Sequence, residues 1–177
     1  MKGVIFTEFL GMVEDRFSEN MVDDIIEASD LPSGGAYTSV GIYDHGEIVQ
    51  LVGALSERSG TPVAELVKAF GQHLFGRLSV LHPEFVCGID DAMDFLESVD
   101  KVIHVEVLKL YPDAMLPTFD TQRDGDHLRM IYRSPRGMED LAEGLITGCM
   151  GHFGQTLHME RHKRPDGSTE FNLERPR

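Results

Sequence analysis

The stretch Tyr132-Arg133-Ser134-Pro135-Arg136 contains the side chains with the clearest chemical potential. Successive side chains of a β-strand point to opposite faces, so the tyrosine, the serine and the second arginine share one face if the strand continues past Pro135. The arginine fork of N–H groups matches a carboxylate, and the two hydroxyls can donate to its remaining lone pairs. The spacing therefore predicts a carboxylate-binding row, although the polar outer face of an ordinary strand has the same pattern.

His104 is a second candidate, and it lies in the apolar run V-I-H-V-E-V. A neutral imidazole is among the commonest metal ligands in proteins. A lone histidine on an apolar segment is nevertheless more often a hydrogen-bonded core or surface residue. The residue type and its setting leave both interpretations open.

Composition and charge limit the classes of function. A chain of 177 residues with 41% hydrophobic residues is expected to form one domain with an ordinary core. The formal net charge of -14 argues against a nucleic-acid partner and against anionic membranes, because binding to phosphates requires clustered lysine and arginine. The opening M-K-G-V-I-F is too short for a secretory signal, and no run of about 18 apolar residues is present, which predicts a soluble cytoplasmic protein.

Cys87 and Cys149 are the only cysteines, and we expect two free thiols in a reducing compartment. The sequence contains no C-x-x-C-H, which excludes covalent haem attachment of the c type. A zinc site is an alternative role for Cys149, because His152 lies three residues further along a predicted helix and three more possible ligands share one strand face. These three are His158, Glu160 and His162.

Apolar spacing predicts a helical N-terminal part. Helices are expected over 4–17, 21–29, 47–58 and from Pro62 to the residue before His82, with a short β-prone segment at 36–43. Asp44 is the expected N-cap of the third helix and Thr61 that of the fourth, with Pro62 at its first helical position. Gly71 lies inside the fourth helix, where glycine costs about 1 kcal/mol relative to alanine. This position predicts either close packing against another element or a bend.

The C-terminal part mixes helices and strands. Asp90 and Asp91 are expected to start a helix that runs to Val99, and Asp100 to cap the next one. Residues 102–111 suit a strand or a helix, and we interpret them as a helix. A strand over 128–132, a helix over 138–153 and a hairpin over 157–173 follow. The predicted fold is α+β: one domain, 1–177, with a helical N-terminal subdomain of about 1–60 and a subdomain of about 61–177 with helices and a small antiparallel sheet.

Several of these features together resemble the H-NOX family, the haem nitric oxide/oxygen binding domains related to the sensor domain of soluble guanylate cyclase. The features are M-K-G-V-I-F, the glycine-punctuated helix, His104 in V-I-H-V-E-V, Pro117, Y-R-S-P-R and A-E-G-L-I-T-G. They occur in the family's order over essentially the whole chain, as in a bacterial stand-alone member.

The resemblance implies a non-covalent haem b held between the two subdomains. His104 matches the proximal ligand of the iron, and Pro117 matches the proline that presses against the porphyrin. Tyr132, Ser134 and Arg136 match the residues that hold the propionates. Six apolar residues match the lining of the opposite, distal side: Ile5, Phe9, Leu74, Leu78, Leu141 and Leu145.

The same resemblance implies a ligand preference. Bound O₂ becomes partly superoxide-like, so a pocket that retains it usually offers a hydrogen-bond donor. Oxygen-binding members of the family have a tyrosine where this chain has Leu141. The tyrosines at 37, 43, 111 and 132 lie elsewhere, and His73 is expected to point away because its neighbour Leu74 takes the pocket position. We therefore expect a sensor that binds NO and CO and excludes O₂.

The resemblance also implies a signalling mechanism. NO weakens the bond on the opposite side of the iron, which releases His104 and relieves strain passed through Pro117 and Ile5. The expected receiver is a separate histidine kinase or an enzyme of cyclic-di-GMP turnover, a diguanylate cyclase or phosphodiesterase. The chain itself is not expected to be an enzyme.

Other functions remain as alternatives. A haem-free module of related architecture would use the same pocket for a small apolar molecule or an acyl chain. A haem oxidase or metal hydrolase is disfavoured, because the distal residues include no acid or base and no nucleophile–base pair is apparent. The zinc site is disfavoured because relatives with a C-terminal zinc site use cysteines that this chain lacks.

Overall fold

The computed structural model describes residues 1–176, which form seven α-helices and one four-stranded sheet. In chain order the elements are α1 (Gly3–Arg16), α2 (Glu19–Glu27), α3 (His45–Ser59), α4 (Val63–Leu81), α5 (Ala92–Ser98), α6 (His104–Leu110), β1 (Thr118–Asp124), β2 (His127–Arg133), α7 (Glu139–His152), β3 (His158–Lys163) and β4 (Thr169–Glu174). The predicted α+β class is confirmed. No helix within residues 1–176 is long and apolar enough to cross a bilayer.

The N-terminal helices begin and end at residues of the expected types. The carboxylate of Asp44 accepts a hydrogen bond from the amide of Gly46 and caps α3. Gly60, with φ of 71°, ends the same helix in the left-handed conformation that glycine adopts without strain. α4 begins one residue later than predicted, because Pro62 lies at the N-cap position and the side chain of Thr61 caps nothing. The segment 36–43 forms only an isolated bridge, between Ile42 and Lys2.

Helices α4 and α7 approach each other more closely than ordinary side chains allow. A Cβ atom on Gly71 would lie 2.5 Å from the carbonyl oxygen of Leu141, and one on Gly144 would collide with the backbone of Lys68. Close packing, rather than a bend, therefore accounts for the glycine inside α4.

The segment that leads to His104 differs from the prediction in one respect. Asp91 caps α5 by accepting from the amides of Met93 and Asp94. Asp100 caps no helix, because a π-helical segment, Val99–Ile103, continues directly into α6. Its carboxylate instead accepts a hydrogen bond from the amide of Phe119 in β1, at 3.0 Å.

The sheet has the order β1-β2-β4-β3, with antiparallel neighbours throughout. The strand, helix and hairpin predicted after residue 124 match β2, α7 and the β3–β4 pair within a few residues. β1 lies where no strand is predicted from the sequence, because Phe119 is its only large apolar side chain and apolar alternation is absent. It is recognisable only through its pairing with β2, in which Phe119 lies opposite Tyr132.

Two hydrophobic clusters form the core, and α4 contributes to both. The N-terminal cluster contains side chains of α1 to α4, including Phe70 and Leu74. The C-terminal cluster contains Phe75 together with side chains of α5, α7 and the sheet. The boundary between an N-terminal and a C-terminal subdomain near residue 60 remains a prediction.

Candidate functional site

A cavity of about 510 Å³ contains most of the polar side chains singled out in the sequence. It lies beside α6, the connection to β1 and the turn after β2. Its walls are mainly apolar, with an imidazole, a hydroxyl, a carboxylate and a guanidinium among them. The lining residues are Asp100, His104, Val105, Leu108, Ala114, Met115, Leu116, Pro117, Thr118, Ser134, Pro135 and Arg136.

His104 is the first residue of α6, and its side chain is 17% exposed. Its Nδ1 atom lies 3.5 Å from Oδ1 of Asp100, at the outer limit of a hydrogen bond, and meets no better-aligned partner within residues 1–176. Burial lowers the pKa of His104, while the Asp100 carboxylate and the Pro117 backbone partly oppose that shift. The imidazole is therefore neutral near pH 7, which is the form that binds metals.

Ser134 and Arg136 reach the cavity from a turn and not from a strand. Pairing with β1 ends at Arg133, and the Ser134 hydroxyl accepts a hydrogen bond from the amide of Arg136 at 3.2 Å. The condition that the strand continues past Pro135 is therefore not met. Exposure still alternates, since Ser134 and Arg136 are half-buried between exposed neighbours. One Arg136 N–H donates to the carbonyl oxygen of Met115 at 3.0 Å.

Tyr132 does not line the cavity. Its side chain is buried, and its ring lies against Phe119 with centroids 5.4 Å apart. Burial raises the pKa of Tyr132. The structure thus brings Ser134 and Arg136 to one site, whereas Tyr132 lies outside the cavity against Phe119.

The predicted distal residues form a separate group. Phe9 and Leu74 are buried, and the other four are partly buried against the same N-terminal cluster. Leu145 contacts the C-terminal cluster as well. The group comes from α1, α4 and α7: Ile5, Phe9, Leu74, Leu78, Leu141 and Leu145. None of the six lines the cavity that contains His104, whereas Pro117 does.

The other possible donors lie beside charged or polar groups outside this group. Nε2 of His73 lies 3.6 Å from the carboxylate of Glu8, which also accepts from Arg77 at 2.8 Å. The hydroxyl of Tyr37 donates to Glu47, and that of Tyr43 accepts from the amide of Thr38. The ammonium of Lys2 lies over the ring of Tyr111, 5.1 Å from the ring centroid.

The residues considered for zinc are not brought together. The buried thiol of Cys149 donates to the carbonyl oxygen of Ala92. The ring of His152 packs against Phe75 and Phe153. The remaining three are exposed along β3: His158, Glu160 and His162. In the part of the chain that the structure describes, no group of three or more His, Cys, Asp or Glu side chains is placed to hold a metal ion.

Three residues at the site are not identified by the sequence reasoning. Asp100 lies beside His104, and Met115 supplies a carbonyl oxygen to Arg136. The ring of Phe119 is tilted against that of His104, with the centroids 5.9 Å apart. The spacing of Asp100, four residues before His104 on a helix, is a signal that could have found it. A backbone acceptor such as that of Met115 has no signal in the sequence.

The arrangement fits a flat amphipathic group that carries a metal ion and carboxylates. A neutral imidazole can bind the metal, and a guanidinium with a nearby hydroxyl can hold the carboxylates. Three apolar lining residues are exposed in addition, Val105 by 45%, Leu108 by 41% and Met115 by 64%. An apolar ring system bound in the cavity would cover such side chains.

Comparisons with known proteins agree on one family. The Haem-NO-binding family model matches residues 2–161. The Fe(II) unliganded H-NOX protein from K. algicida is 38% identical, with 100% of this chain and 97% of that chain covered and a TM-score of 0.93. The H-NOX protein from S. oneidensis in the Fe(II)NO state is 29% identical, with 100% of both chains covered and a TM-score of 0.91.

A third solved structure, the IWP-051-bound H-NOX from Shewanella woodyi in the Fe(II)CO state, is 41% identical. The alignment covers 99% of this chain and 95% of that chain, with a TM-score of 0.85. No curated protein matches the chain significantly.

Proposed function

This chain belongs to the Haem-NO-binding (H-NOX) family of haem-based gas-sensor domains, and we propose that it senses nitric oxide, also binds CO and excludes O₂. The observation that carries the proposal is the shared cavity: His104 on α6 and Arg136 after β2 line the same space of about 510 Å³. A metal ligand and a carboxylate-binding cation, in mainly apolar walls, are what a non-covalently bound haem b requires.

The chain's own residues would divide the work of binding. Neutral His104 would ligate the iron, while Ser134 and Arg136 would hold the propionates. Pro117, which lines the cavity, would press on the porphyrin face. Tyr132 would reach a propionate only if its buried hydroxyl turned toward the cavity. When bound, haem iron supplies an open coordination position for a diatomic gas.

Exclusion of O₂ would come from the apolar character of the distal group. Retention of O₂ needs a hydrogen-bond donor, whereas NO and CO bind ferrous haem without one. The position on α7 that matters is Leu141, and Nε2 of His73 lies beside the carboxylate of Glu8, at 3.6 Å. An S. oneidensis relative has been solved in the Fe(II)NO state, and a Shewanella woodyi relative in the Fe(II)CO state.

Signalling would begin with the movement of His104. Release of this side chain would free α6, which is tied to the N-terminal residues through Lys2 and Tyr111. Pro117 and Ile5 would relay the shift between the two parts of the domain. The proposed receiver is a separate histidine kinase or a diguanylate cyclase or phosphodiesterase. A net charge of -14 would favour a receiver with a basic face.

The absorption spectrum of the dithionite-reduced protein tests this function. Spectra are recorded anaerobically, then in air after removal of the reductant, and then with NO. We expect five-coordinate ferrous haem that is unchanged by brief exposure to air and becomes a five-coordinate nitrosyl with NO. A stable oxy spectrum would refute the exclusion of O₂, and absence of haem after reconstitution would favour the haem-free, acyl-chain-binding alternative.

The variant His104→Gly tests the assignment of the ligand. It should lose haem or retain it only with added imidazole, because the cavity left by the side chain can accept the free ligand. His162→Gly, at an exposed position on β3, is the matched control and should keep the wild-type haem content. Equal haem content and spectra in His104→Gly and the wild type would show that another residue binds the iron.

A further inference from the structure

One carboxylate oxygen lies between the imidazole of His104 and the first strand. Oδ1 of Asp100 accepts a hydrogen bond from the amide of Phe119 at 3.0 Å, and the same atom lies 3.5 Å from Nδ1 of His104. Asp100 also lines the cavity. A single side chain thus contacts the proposed ligand, the strand that follows it and the space where a cofactor would bind.

The π-helical segment explains why the two side chains meet. The amide of His104 bonds to the carbonyl oxygen of Val99, five residues earlier. Residues four apart are neighbours on one face of a helix, and the wider π turn keeps this relation where the segment joins α6. Asp100 and His104 have that spacing and therefore face the same direction. Such insertions in helices are frequent at functional sites.

We propose that Asp100 is a positioning residue that holds His104 by its Nδ1–H and thereby sets the strength of the bond between Nε2 and the iron, an inference that rests on the proposed binding of haem. Histidines that ligate metals almost always donate their second ring N–H to a carboxylate, a carbonyl oxygen or water. Within residues 1–176, the buried Nδ1 of His104 makes no well-aligned hydrogen bond, and the Asp100 carboxylate lies 3.5 Å from it.

This contact has two chemical consequences. Acceptance of the Nδ1–H fixes the tautomer in which Nε2 has its lone pair toward the metal. A negatively charged acceptor also makes the imidazole a stronger ligand. Asp100 would therefore oppose the release of His104, and its bond to Phe119 would hold the imidazole in place against β1.

A purely structural role for Asp100 is the competing explanation, since its carboxylate also joins the π-helical segment to β1. Asp100→Asn separates the two roles. The amide keeps an oxygen that can accept from the amide of Phe119, but it lacks the charge that polarises the imidazole. Glu106→Gln is the matched control, because it removes the same charge from α6 at a residue that pairs with Lys109 and not with His104.

The experiment is resonance Raman spectroscopy of the reduced holoprotein, combined with stopped-flow mixing with NO. We expect the iron–histidine stretching band to move to lower wavenumber in Asp100→Asn and Asp100→Ala, and the five-coordinate nitrosyl to form faster. Loss of haem should accelerate by about 10-fold or more, as for other partners of metal-ligating histidines. Asp100→Glu should restore part of the shift, and Glu106→Gln should resemble the wild type.

An unchanged stretching band and unchanged nitrosyl kinetics in Asp100→Asn would overturn the proposal. If Asp100→Ala fails to fold, Asp100→Asn still decides, because it keeps the contact with β1. If the purified wild type contains no haem, the proposed function fails separately. Ring ¹⁵N NMR on that same protein would then show whether His104 is protonated at Nδ1 in the wild type, and protonation at Nε2 alone would refute the contact.

Discussion

Arg136 has a guanidinium that is only partly engaged. It gives one hydrogen bond to the carbonyl oxygen of Met115, which leaves most of its five N–H groups for a ligand. Its charge also acts on His45, the first residue of α3, where burial and then Arg136 lower the pKa of the imidazole. A cation held by one backbone oxygen at the mouth of a mainly apolar cavity suits a carboxylate that arrives with a bound cofactor.

We predict that Arg136→Ala accelerates the loss of haem by about 10-fold. A charge-assisted hydrogen bond contributes about 1.5–3 kcal/mol, and a factor of 10 corresponds to about 1.4 kcal/mol. Transfer of haem to excess apomyoglobin, followed by absorbance, measures the rate. Arg133→Ala, at the exposed end of β2, is the control and should behave like the wild type. Equal rates in the two variants would mean that Arg136 does not contact a propionate.

Leu141 is the residue at which gas selectivity is expected to be decided. Leu141→Tyr should produce a measurable oxy spectrum in air, because the phenol supplies the donor that stabilises superoxide-like O₂. Leu141→Phe has nearly the same size without the hydroxyl and should show no oxy complex. If neither variant or both variants bind O₂, the distal group is not arranged as proposed.

At the scale of elements, the contact between α4 and α7 sets the distance between the two helices that carry four of the six predicted distal residues. α4 provides Leu74 and Leu78, and α7 provides Leu141 and Leu145. Gly71 allows the two backbones to approach at the level of Leu141, so the separation of the helices is fixed by the absence of a side chain. Any atom added there must push these leucines apart.

We predict that Gly71→Ala lowers the free energy of unfolding by about 1–3 kcal/mol, since its Cβ would lie 2.5 Å from the Leu141 carbonyl oxygen. Gly76→Ala, on the same helix with nothing within 4 Å of its Cβ, should instead stabilise the protein by up to about 1 kcal/mol. Urea denaturation measures both. Effects of equal sign and size would show that helix propensity, and not close packing, governs position 71.

At the scale of the whole molecule, contacts between distant segments close the C-terminal part. Arg175 forms an ion pair with Asp91 at the start of α5, and a second one with Asp126 in the turn between β1 and β2, at 3.3 Å. Gln155 also donates to Asp91. The end of β4 is thereby fastened to the helix that leads toward His104, so packing of the sheet and orientation of α6 are linked.

The Asp91 carboxyl gives this linkage a pH dependence. Burial opposes its ionisation, but the hydrogen bonds from Arg175, Asp94 and Gln155 outweigh burial and lower its pKa from 3.8 to about 2. A lowered pKa in the folded state adds stability above the unfolded value, and this stability is lost as the pH falls from about 4 toward 2.

We predict that Asp91→Asn lowers the free energy of unfolding at pH 7 by up to about 2 kcal/mol and flattens its decline between about pH 4 and 2. Asparagine preserves the N-cap of α5 through its one oxygen, while the charge and the oxygen that accepts from Arg175 and Gln155 are removed. Asp90→Asn, at an exposed neighbouring position without a side-chain ion pair in residues 1–176, is the control. An identical pH dependence in Asp91→Asn and the wild type would refute the assignment.

Local patterns in the sequence were sufficient for most elements. Periods of three to four residues indicated the helices, and Asp44 and Asp91 marked where two of them begin. The prediction that Ser134 and Arg136 bind a carboxylate rests on residue type, and the family followed from motifs in order. Caps, turns and periodicity depend on neighbours within a few residues, which is why they can be read without a structure.

Only the tertiary structure decided which residues meet at the site. β1 has no apolar alternation and exists because β2 offers it hydrogen-bond partners. Asp100 suggested a helix cap, yet the π-helical segment turns its carboxylate to His104 and Phe119. Tyr132 has the right spacing but lies outside the cavity, since the chain turns after Arg133. These outcomes depend on contacts between segments far apart in the chain, and the local patterns of a sequence do not indicate such contacts.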